Sequence, residues 1–357
     1  MKFSILGGLC LTLQVAALAH ADQLVLVAGG GTEKDQVPAT KARLIAPFGV
    51  DFDKSGNMYV VELTGERVLR VDAKGTLTIA GGTGTKGDSG DGGPATKASF
   101  NDMHSLAAGR DGFIYLADTL NNRIRKLDPA TGIVTAFAGT GKRGYGGDGG
   151  PALKADFNGI YSVAFDAAGT KLYLADLENR RVRVIDMKTG TVDLIAGNGK
   201  KGIPENGADA KNAPLVDPRA ATVDRKGNVY ILERSGHALR VVSPDGKIHT
   251  VAGTGKAGLG LEGGEPTKAQ LNGPKHLCVD LADNVIIADS GNHRILKYSP
   301  RDNKITLVAG TGKKGDSGTG GPALATPMNE PHGVFVHSSG TLYIVDSYNN
   351  RVFRLEK

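Results

Sequence analysis

The sequence predicts an all-β protein, a six-bladed β-propeller with four antiparallel strands in each blade. The stretch 91–128 recurs six times in whole or in part, and an Ala-Gly pair marks each copy at intervals of about 52–58 residues. Each copy consists of short alternating runs between Gly- or Asn-containing turns, without a long segment of helical periodicity. A strand-only repeat of this period is typical of a propeller blade.

The first copy shows how one blade is built. Alternation of apolar and polar residues predicts strands at 49–53, 58–63, 68–72 and 77–80. The first two strands are joined by Lys54-Ser55-Gly56-Asn57, where glycine supplies the positive φ that a tight turn needs. Four short strands in sequence therefore form one antiparallel sheet, which must pack on its neighbours to bury its faces.

The two ends of the repeat array predict how the ring closes. The sixth copy stops after its third strand, at 350–355, and lacks the outer strand of the other copies. Residues 24–29 supply a strand with no blade before it. We therefore expect the N-terminal strand to complete the last blade, which removes an open sheet edge.

The N-terminal segment 1–21 has the pattern of a secretory signal peptide. Lys2 precedes an apolar run from 3 to 18, which ends in the Ala-x-Ala cleavage pattern 19–21. The run is too short for a membrane span. We expect residues 1–21 to be removed and 22–357 to form a single exported propeller, periplasmic or extracellular, without membrane insertion.

Charge and cysteine content narrow the class of protein. The formal net charge is +6, but Lys and Arg are spread along the chain rather than clustered, so we expect no nucleic-acid partner. Only Cys278 remains after cleavage, and one cysteine cannot form an internal disulfide. We expect a monomer held by packing alone, with Cys278 as a small buried apolar side chain.

The last copy carries a family resemblance. The residues from Pro331 to Val352, P-H-G-V-x-V-x-x-x-G-x-L-Y-I-V-D-x-x-N-N-R-V, resemble the NHL repeat. The Gly-Asp-Gly loops at 87–95 and 146–152 resemble a bacterial exported branch of that family. The resemblance implies the propeller fold, whereas similar propellers include protein-binding and RNA-binding modules and peptidyl-hydroxyglycine lyases. A shared fold does not choose among these functions.

An acid followed five residues later by arginine recurs at the end of the second strand. We interpret each pair as a charge-assisted hydrogen bond that staples the hairpin rather than as a metal channel. Glu233 faces Ala238 under this rule and is predicted to lack a partner. The pairs are Glu62/Arg67, Asp118/Arg123, Asp176/Arg181, Asp289/Arg294 and Asp346/Arg351.

The acidic residues within the glycine-rich loops suggest calcium as a candidate cofactor. These loops lack the spaced ligands and the closing Glu of an EF-hand, and their glycines are explained as turn formers. Calcium therefore stays an alternative without a full set of ligands. The acids are Asp88, Asp91, Asp148 and Asp316.

The candidate site is the position just before each inner strand, where the copies differ most. Because inner strands line the channel of a propeller, these six side chains should surround one mouth. The ring is rich in donors and contains no acid, which suits a carboxylate, uronate or phosphate. Its members are Phe48, His104, Tyr161, Arg219, Lys275 and His332, with Asn101, Asn158, Asn272 and Asn329 in the preceding register.

These residues predict a recognition scaffold for a protein, a glycan or a small anionic ligand. A solvated rim without a ligand is the alternative interpretation of the same ring. The remaining histidines, His237, His249, His293 and His337, fall in turns or outer strands and are interpreted as surface residues.

A metal-dependent lyase or hydrolase at the same mouth is the second functional class. The resemblance to peptidyl-hydroxyglycine lyases implies zinc at His104 and His332, with His276 as a third candidate one residue out of register. It also implies Tyr161 as a base and Arg219 as a substrate clamp. Catalytic zinc needs three protein ligands, and the nearby cations oppose it. The sequence contains no G-x-S-x-G nucleophile elbow.

Overall fold

Six antiparallel sheets follow one another along the chain and form a closed six-bladed ring, which confirms the predicted fold. The computed structural model describes residues 22–316 and 318–357, with the side chain of Glu262 left out. The predicted signal peptide, 1–21, lies outside the described residues. In the described part of the chain, no helix is long and apolar enough to span a membrane.

Each blade contains an inner, a second, a third and an outer strand. The inner strands are Pro47–Phe52, Ser105–Ala108, Ile160–Phe165, Pro218–Val223, His276–Val279 and Val334–Val336. The second strands are Met58–Glu62, Ile114–Asp118, Lys171–Asp176, Val229–Glu233, Val285–Asp289 and Leu342–Asp346. The third strands are Val68–Val71, Arg123–Leu127, Arg181–Asp186, Ala238–Val242, Arg294–Ser299 and Arg351–Glu356. The outer strands are Thr76–Gly81, Ile133–Ala138, Thr191–Ala196, Lys247–Ala252, Lys304–Ala309 and Gln23–Gly29.

Five sheets carry a short fifth strand, so four strands per blade is correct only for blade 5. The extra strand comes from the loop before the inner strand and pairs with the outer edge of its own blade. These strands are Val37–Pro38, Gly93–Pro94, Gly150–Pro151, Ala208–Asp209 and Gly320–Pro322. Single 3-10 turns complete the described elements: Ala39–Lys41, Ala95–Lys97, Thr119–Asn121, Ala152–Lys154, Glu262–Gly264, Pro266–Lys268, Ser290–Asn292 and Ser347–Asn349.

The N-terminal strand closes the ring as predicted. Gln23–Gly29 runs antiparallel to Arg351–Glu356 and supplies the outer strand of blade 6. Its other edge pairs with Gly320–Pro322, so the completed blade resembles its neighbours. Pairing both edges of this strand removes a template for association with other chains.

Packing between blades supplies the apolar core. Each cluster of buried side chains draws on two neighbouring sheets. One cluster joins Val60 and Leu69 of blade 1 to Val345 and Val352 of blade 6, across the closure. The inner strands of successive blades, including the last and the first, also contact one another around the axis. Each blade thus depends on its two neighbours for burial, as the repeat predicts.

The predicted hairpin staple is present in blades 1, 5 and 6. Its acid is fully buried, and the arginine that opens the third strand reaches back across the turn. Such charge-assisted bonds satisfy a carboxylate that burial would otherwise destabilise. The pairs are Glu62–Arg67 at 2.6 Å, Asp289–Arg294 at 2.8 Å and Asp346–Arg351 at 2.9 Å.

The five-residue rule is wrong for blades 2, 3 and 4, where the partner lies seven residues after the acid. Positions five and seven residues on lie on the same face of the third strand, so either can reach the carboxylate. Glu233, predicted to lack a partner, accepts from Arg240. The pairs are Asp118–Arg125 at 3.8 Å, Asp176–Arg183 at 3.6 Å and Glu233–Arg240 at 2.6 Å.

A left-handed residue before each third strand joins its blade to the next one. The αL conformation at this position recurs in all six blades, as at Asn122 with φ 55°. The Asn122 side chain accepts the backbone N–H of Gly159 at 2.9 Å, and Asn350 accepts that of Ala46 at 2.8 Å across the closure. His237 and His293 act in the same way, so they are interblade contacts rather than simple surface residues.

Blade 4 is the exception to this contact. The equivalent residue of the preceding hairpin is Arg180, which is also αL. Within the described residues its side chain makes no hydrogen bond to the entry of blade 4, and its Nε lacks a partner. Asp217 at that entry instead accepts from Arg234 and Ser235 of its own blade. The entry that precedes Arg219 is therefore built differently from the others.

Candidate functional site

The six residues of the predicted ring lie together at one end of the axis, where the inner strands begin. In blades 1, 3 and 4 the ladder slips by one residue at this position, so Phe48, Tyr161 and Arg219 lie on β-bulges. A bulge turns its extra side chain away from the regular alternation. In these three blades the predicted site position therefore coincides with a bulge of the backbone.

The ring does not form an open mouth, because its side chains pack against their neighbours and Arg219 of blade 4 reaches His332 of blade 6. The ring centroids of Phe48 and His332 are 4.0 Å apart, and those of His104 and Tyr161 are 4.4 Å apart. His332 is fully buried, and Phe48, His104 and Arg219 are each less than a tenth exposed. Tyr161 and Lys275 stay half-buried. We call these six residues the axial plug.

Arg219 is the least satisfied charge in the axial plug. Its Nη2 donates to Nε2 of His332 at 2.8 Å, and its guanidinium lies 4.3 Å from the ring centre of Tyr161. Its Nε and Nη1 have no partner in the described residues. Burial lowers the Arg219 pKa to about 9, against the raising effect of Tyr161. The guanidinium is therefore a charged donor without a counter-ion in bonding contact.

The histidines of the plug are held in a neutral state. Burial first, and then the charge of Arg219, lower the pKa of His104 and of His332 well below the ordinary value. The Nδ1–H of His332 donates to the Phe48 carbonyl at 3.3 Å, which leaves Nε2 to accept from Arg219. The Nδ1–H of His104 donates to the Asp102 carbonyl at 2.8 Å.

The histidines of the axial plug do not form the zinc site that a metal-dependent lyase or hydrolase would require. The Nε2 lone pair of His332, which a metal would use, already accepts from a cation. In the described part of the chain, no group of three His, Cys, Asp or Glu side chains is placed to hold a metal ion. The ring centroids of His276 and His332 lie 6.0 Å apart, and Arg219 opposes a cation between them. The described residues of the axial plug therefore do not fit a zinc centre.

His276 lies one layer further into the channel. The equivalent inner-strand residues are small, so this imidazole fills space that the other blades leave. Burial, followed by Arg219, lowers the His276 pKa to about 4. Its Nδ1 lacks a hydrogen-bond partner within the described residues. The equivalent positions are Gly49, Ser105, Ser162, Ala220 and Gly333.

An acid lies beside the ring, although none of the six ring residues is acidic. The Lys275 ammonium lies 2.7 Å from a carboxylate oxygen of Glu330, two residues before His332 in the next blade. Glu330 escaped the sequence analysis because it belongs to another register. Arg234 was missed for the same reason, and it lies 3.0 Å from Asp217 beside the plug. Only Arg219 therefore brings an unpaired positive charge.

The four asparagines of the preceding register have a structural role in common. The backbone N–H of each donates to the acid that ends the second strand of its own blade, at 2.7–2.8 Å. Asn272 also donates through its side chain to the Gly291 carbonyl. Blade architecture thus accounts for their recurrence. The residues are Asn101, Asn158, Asn272 and Asn329.

The glycine-rich loops do not fit calcium, because their carboxylates already face arginines. Asp148, for example, lies 2.7 Å from Arg183, a partner of the buried acid Asp176. The loops therefore extend the hairpin staples outward. The other pairs are Asp88–Arg123, Asp91–Arg125 and Asp316–Arg351.

Comparison with known proteins supports the repeat assignment made above. The family described as the teneurin NHL domain matches residues 152–356, more than half of the chain. The chain belongs to this NHL family. This NHL propeller is 27% identical over 351 residues to NHL repeat-containing protein 2 of Gallus gallus, with 89% of the chain and 47% of the relative covered. It is 26% identical over 288 residues to teneurin-1 of Homo sapiens, covering 74% of the chain and 10% of the relative.

The NHL propeller spans about half the length of NHL repeat-containing protein 2 and a tenth of teneurin-1. A Bacteroides thetaiotaomicron protein of unknown function has a TM-score of 0.67 at 16% identity, with 94% of this chain and 76% of that chain covered. A streptogramin B lyase has a TM-score of 0.55 at 13% identity, with 94% and 98% covered. Likeness at these identities shows the fold alone.

Proposed function

We propose that this NHL propeller is an exported recognition scaffold that binds an anionic group of a protein, glycan or small molecule at the axial plug. The observation that carries this proposal is that Nε and Nη1 of the buried Arg219 have no partner in the described residues. A ligand carboxylate complements these free N–H donors, because a guanidinium N–H forms a charge-assisted hydrogen bond with a carboxylate oxygen.

The energetics of burial favour a ligand at Arg219. Taking a charge out of water without a counter-ion costs several kcal/mol in a folded protein. Arg219 is 3% exposed, and its one hydrogen-bond acceptor is a neutral imidazole. A fold that needed only packing here would be served as well by a leucine or methionine. A bound anion would offset that cost.

The construction of blade 4 also supports a specialised role. Five blade entries donate a backbone N–H to a side chain of the preceding hairpin, whereas in the described residues the entry before Arg219 does not. The residues beside the plug can receive a ligand body. Tyr348 is 47% exposed, and Tyr161 and Lys275 are partly exposed. Tyrosine rings present an apolar face and a polar tip, which suits a sugar or a peptide.

Calorimetric titration of the mature protein would test this function. The probes are citrate, oligogalacturonate and a short peptide with a free C-terminal carboxylate, each compared with an uncharged counterpart such as the amidated peptide. We expect at least one anionic probe to bind, with Arg219→Gln weakening it by about tenfold or more. Arg225→Gln, the same charge change at the other end of the axis, serves as the matched control.

An affinity that is equal in Arg219→Gln and in the parent would refute the axial plug as the recognition site. Equal binding of charged and uncharged probes would refute the anionic specificity. Export has its own measurement. We expect N-terminal sequencing of protein from a periplasmic or culture fraction to begin at Asp22, and intact Met1 in a cytosolic fraction would contradict it.

A further inference from the structure

The opposite end of the axis holds a cavity of about 510 Å³. It lies beyond His276 and is enclosed by the inner strands and by the turns that lead to the second strands. Its volume falls within the range of small-molecule pockets, about 300–1,000 Å³. None of the six plug residues lines it, so the cavity and the plug are separate features of one channel.

One layer of side chains gives the cavity its character. Small side chains in blades 2 and 3 open the space, and Phe335 of blade 6 supplies an aromatic wall. Asp51 of blade 1 is the acid of this layer, and Cys278 lies close enough to interact with it electrostatically. Cys278 is half-buried at the cavity wall, so the expectation of a buried apolar side chain holds only in part. The layer consists of Asp51, Ala107, Ala164, Thr222, Cys278 and Phe335.

Asp51 has no positively charged partner in the described part of the chain. Its carboxylate accepts two backbone N–H groups, from Phe52 at 2.6 Å and from Ala108 at 2.8 Å. Those bonds lower the pKa, but burial outweighs them and raises the Asp51 pKa to about 7. Because the remaining exposed surface of Asp51 faces the cavity, the carboxylate can meet a ligand there without a change in the backbone.

We propose that this cavity binds an amine carried on an apolar ring or chain, with Asp51 as the counter-ion of the ammonium group. The wall beside Asp51 is apolar and aromatic, with Phe52 and Phe335 stacked at 5.8 Å. Aromatic faces and a carboxylate both attract an ammonium ion, and each attraction is stronger away from bulk water. An anionic ligand would instead meet the Asp51 charge at the base of the cavity.

The rim permits entry of such a ligand. Arg225 lies 3.0 Å from Asp283, and Arg110 donates to the Ala167 carbonyl. Both guanidinium groups are therefore held by neighbouring turns of the rim. Lys54 also lines the entrance, whereas Asp53 and Asp280 give the same rim negative charge. The rim thus carries both positive and negative charges. The preference for a cationic ligand therefore comes from Asp51, further inside the cavity.

Three naphthalene probes that differ only in their polar group would test this site: 2-(1-naphthyl)ethylamine, 2-(1-naphthyl)ethanol and 1-naphthylacetate. We expect the amine to bind at least tenfold more tightly than the other two. Two variants locate the site independently. Asp51→Asn removes the counter-ion, and Ala164→Leu fills the cavity while leaving Asp51 in place. Each should weaken amine binding by about tenfold or more.

Asp193→Asn is the matched control, because it makes the same charge change on the exposed outer strand of blade 3, away from the cavity. Its affinity for the amine should stay within about twofold of the parent. Arg219→Gln should also leave amine binding unchanged, which separates this site from the axial plug. Equal binding of the three probes, or amine binding that survives both Asp51→Asn and Ala164→Leu, would overturn the proposal. If Asp51→Asn fails to fold, Ala164→Leu and the probe series still decide.

Discussion

Buried charges in the blades and buried charges on the axis are treated differently by this fold. In blade 3, Arg183 is fully buried, and its Nε, Nη1 and Nη2 donate to Asp148, to the Asp156 carbonyl and to the Gly146 carbonyl. On the axis, Arg219 is buried to nearly the same extent but has one bond, to a neutral histidine. Both arginines lie on strands, so secondary structure does not explain the difference.

The acids repeat this contrast. Asp176 accepts from Asn179 and from the Asn158 backbone, and it lies 3.6 Å from Arg183. Asp51 accepts two backbone N–H groups and meets no cation among the described residues. Charges satisfied inside a blade hold its hairpin and loop together. Arg219 and Asp51 on the axis have no oppositely charged partner in bonding contact within the described residues, which is why we propose them as ligand-binding groups.

Removing the closing strand would break both regions at once. Deletion of residues 22–27 strips blade 6 of its outer strand and exposes the edge of Arg351–Glu356. We expect loss of a single cooperative unfolding transition, or a melting temperature lower by more than about 10 °C. Differential scanning calorimetry of the deletion and of the parent would measure it. A synthetic peptide of residues 22–31 added in trans should restore part of the loss, and a deletion that melts within a degree or two of the parent would contradict the closure.

Methionine substitutions at the two buried arginines would measure the contrast directly. Arg183→Met leaves Asp176 and two carbonyls without their donor, so we expect a loss of about 3–5 kcal/mol in the free energy of unfolding. Arg219→Met removes an unpaired charge and leaves one histidine nitrogen unsatisfied, so we expect a change within about 1 kcal/mol. Urea denaturation followed by circular dichroism provides both values. Equal losses would show that Arg219 is structural.

The pH dependence of stability would sharpen the contrast for Asp51. Its pKa is raised from 3.8 to about 7, so between those pH values the native state holds a proton that the unfolded chain has released. The Asp51 contribution therefore becomes less favourable as the pH rises from about 4 to 7. We expect Asp51→Asn to remove about 2–4 kcal/mol of that dependence. Unfolding titrations of both proteins at pH 4, 6 and 8 would show it, and parallel curves would contradict it.

Much of the fold was open to prediction because it depends on local alternation and on the repeat. The strands, their order and the closing strand follow from residues whose pattern recurs in every copy. The pairing of Glu233 did not follow, because a partner at seven residues instead of five occupies the same strand face. The short fifth strands were missed because two-residue pairings leave no periodic signal.

The candidate site was predictable as a register but not as a shape. The six plug residues occupy the same position in the aligned repeats, and they lie together at one end of the axis. How these six side chains pack at the axis depends on their size and on the β-bulges. No local sequence pattern predicts either effect. Glu330 belongs to another register and reaches the plug from the next blade, whereas Asp51 lies on a predicted inner strand but its lack of a cationic partner is not visible in the sequence. Long-range contacts of this kind need coordinates.

The ring closure also has a kinetic consequence. Gln23 pairs with Glu356, so strand Gln23–Gly29 must wait until the third strand of blade 6 is synthesised before it finds its partner. Contacts of such large sequence separation raise the contact order and slow folding. Until that pairing forms, Arg351–Glu356 has an unpaired edge. We therefore expect ring closure to be a late step of folding, and it is the step that a chaperone would be best placed to protect.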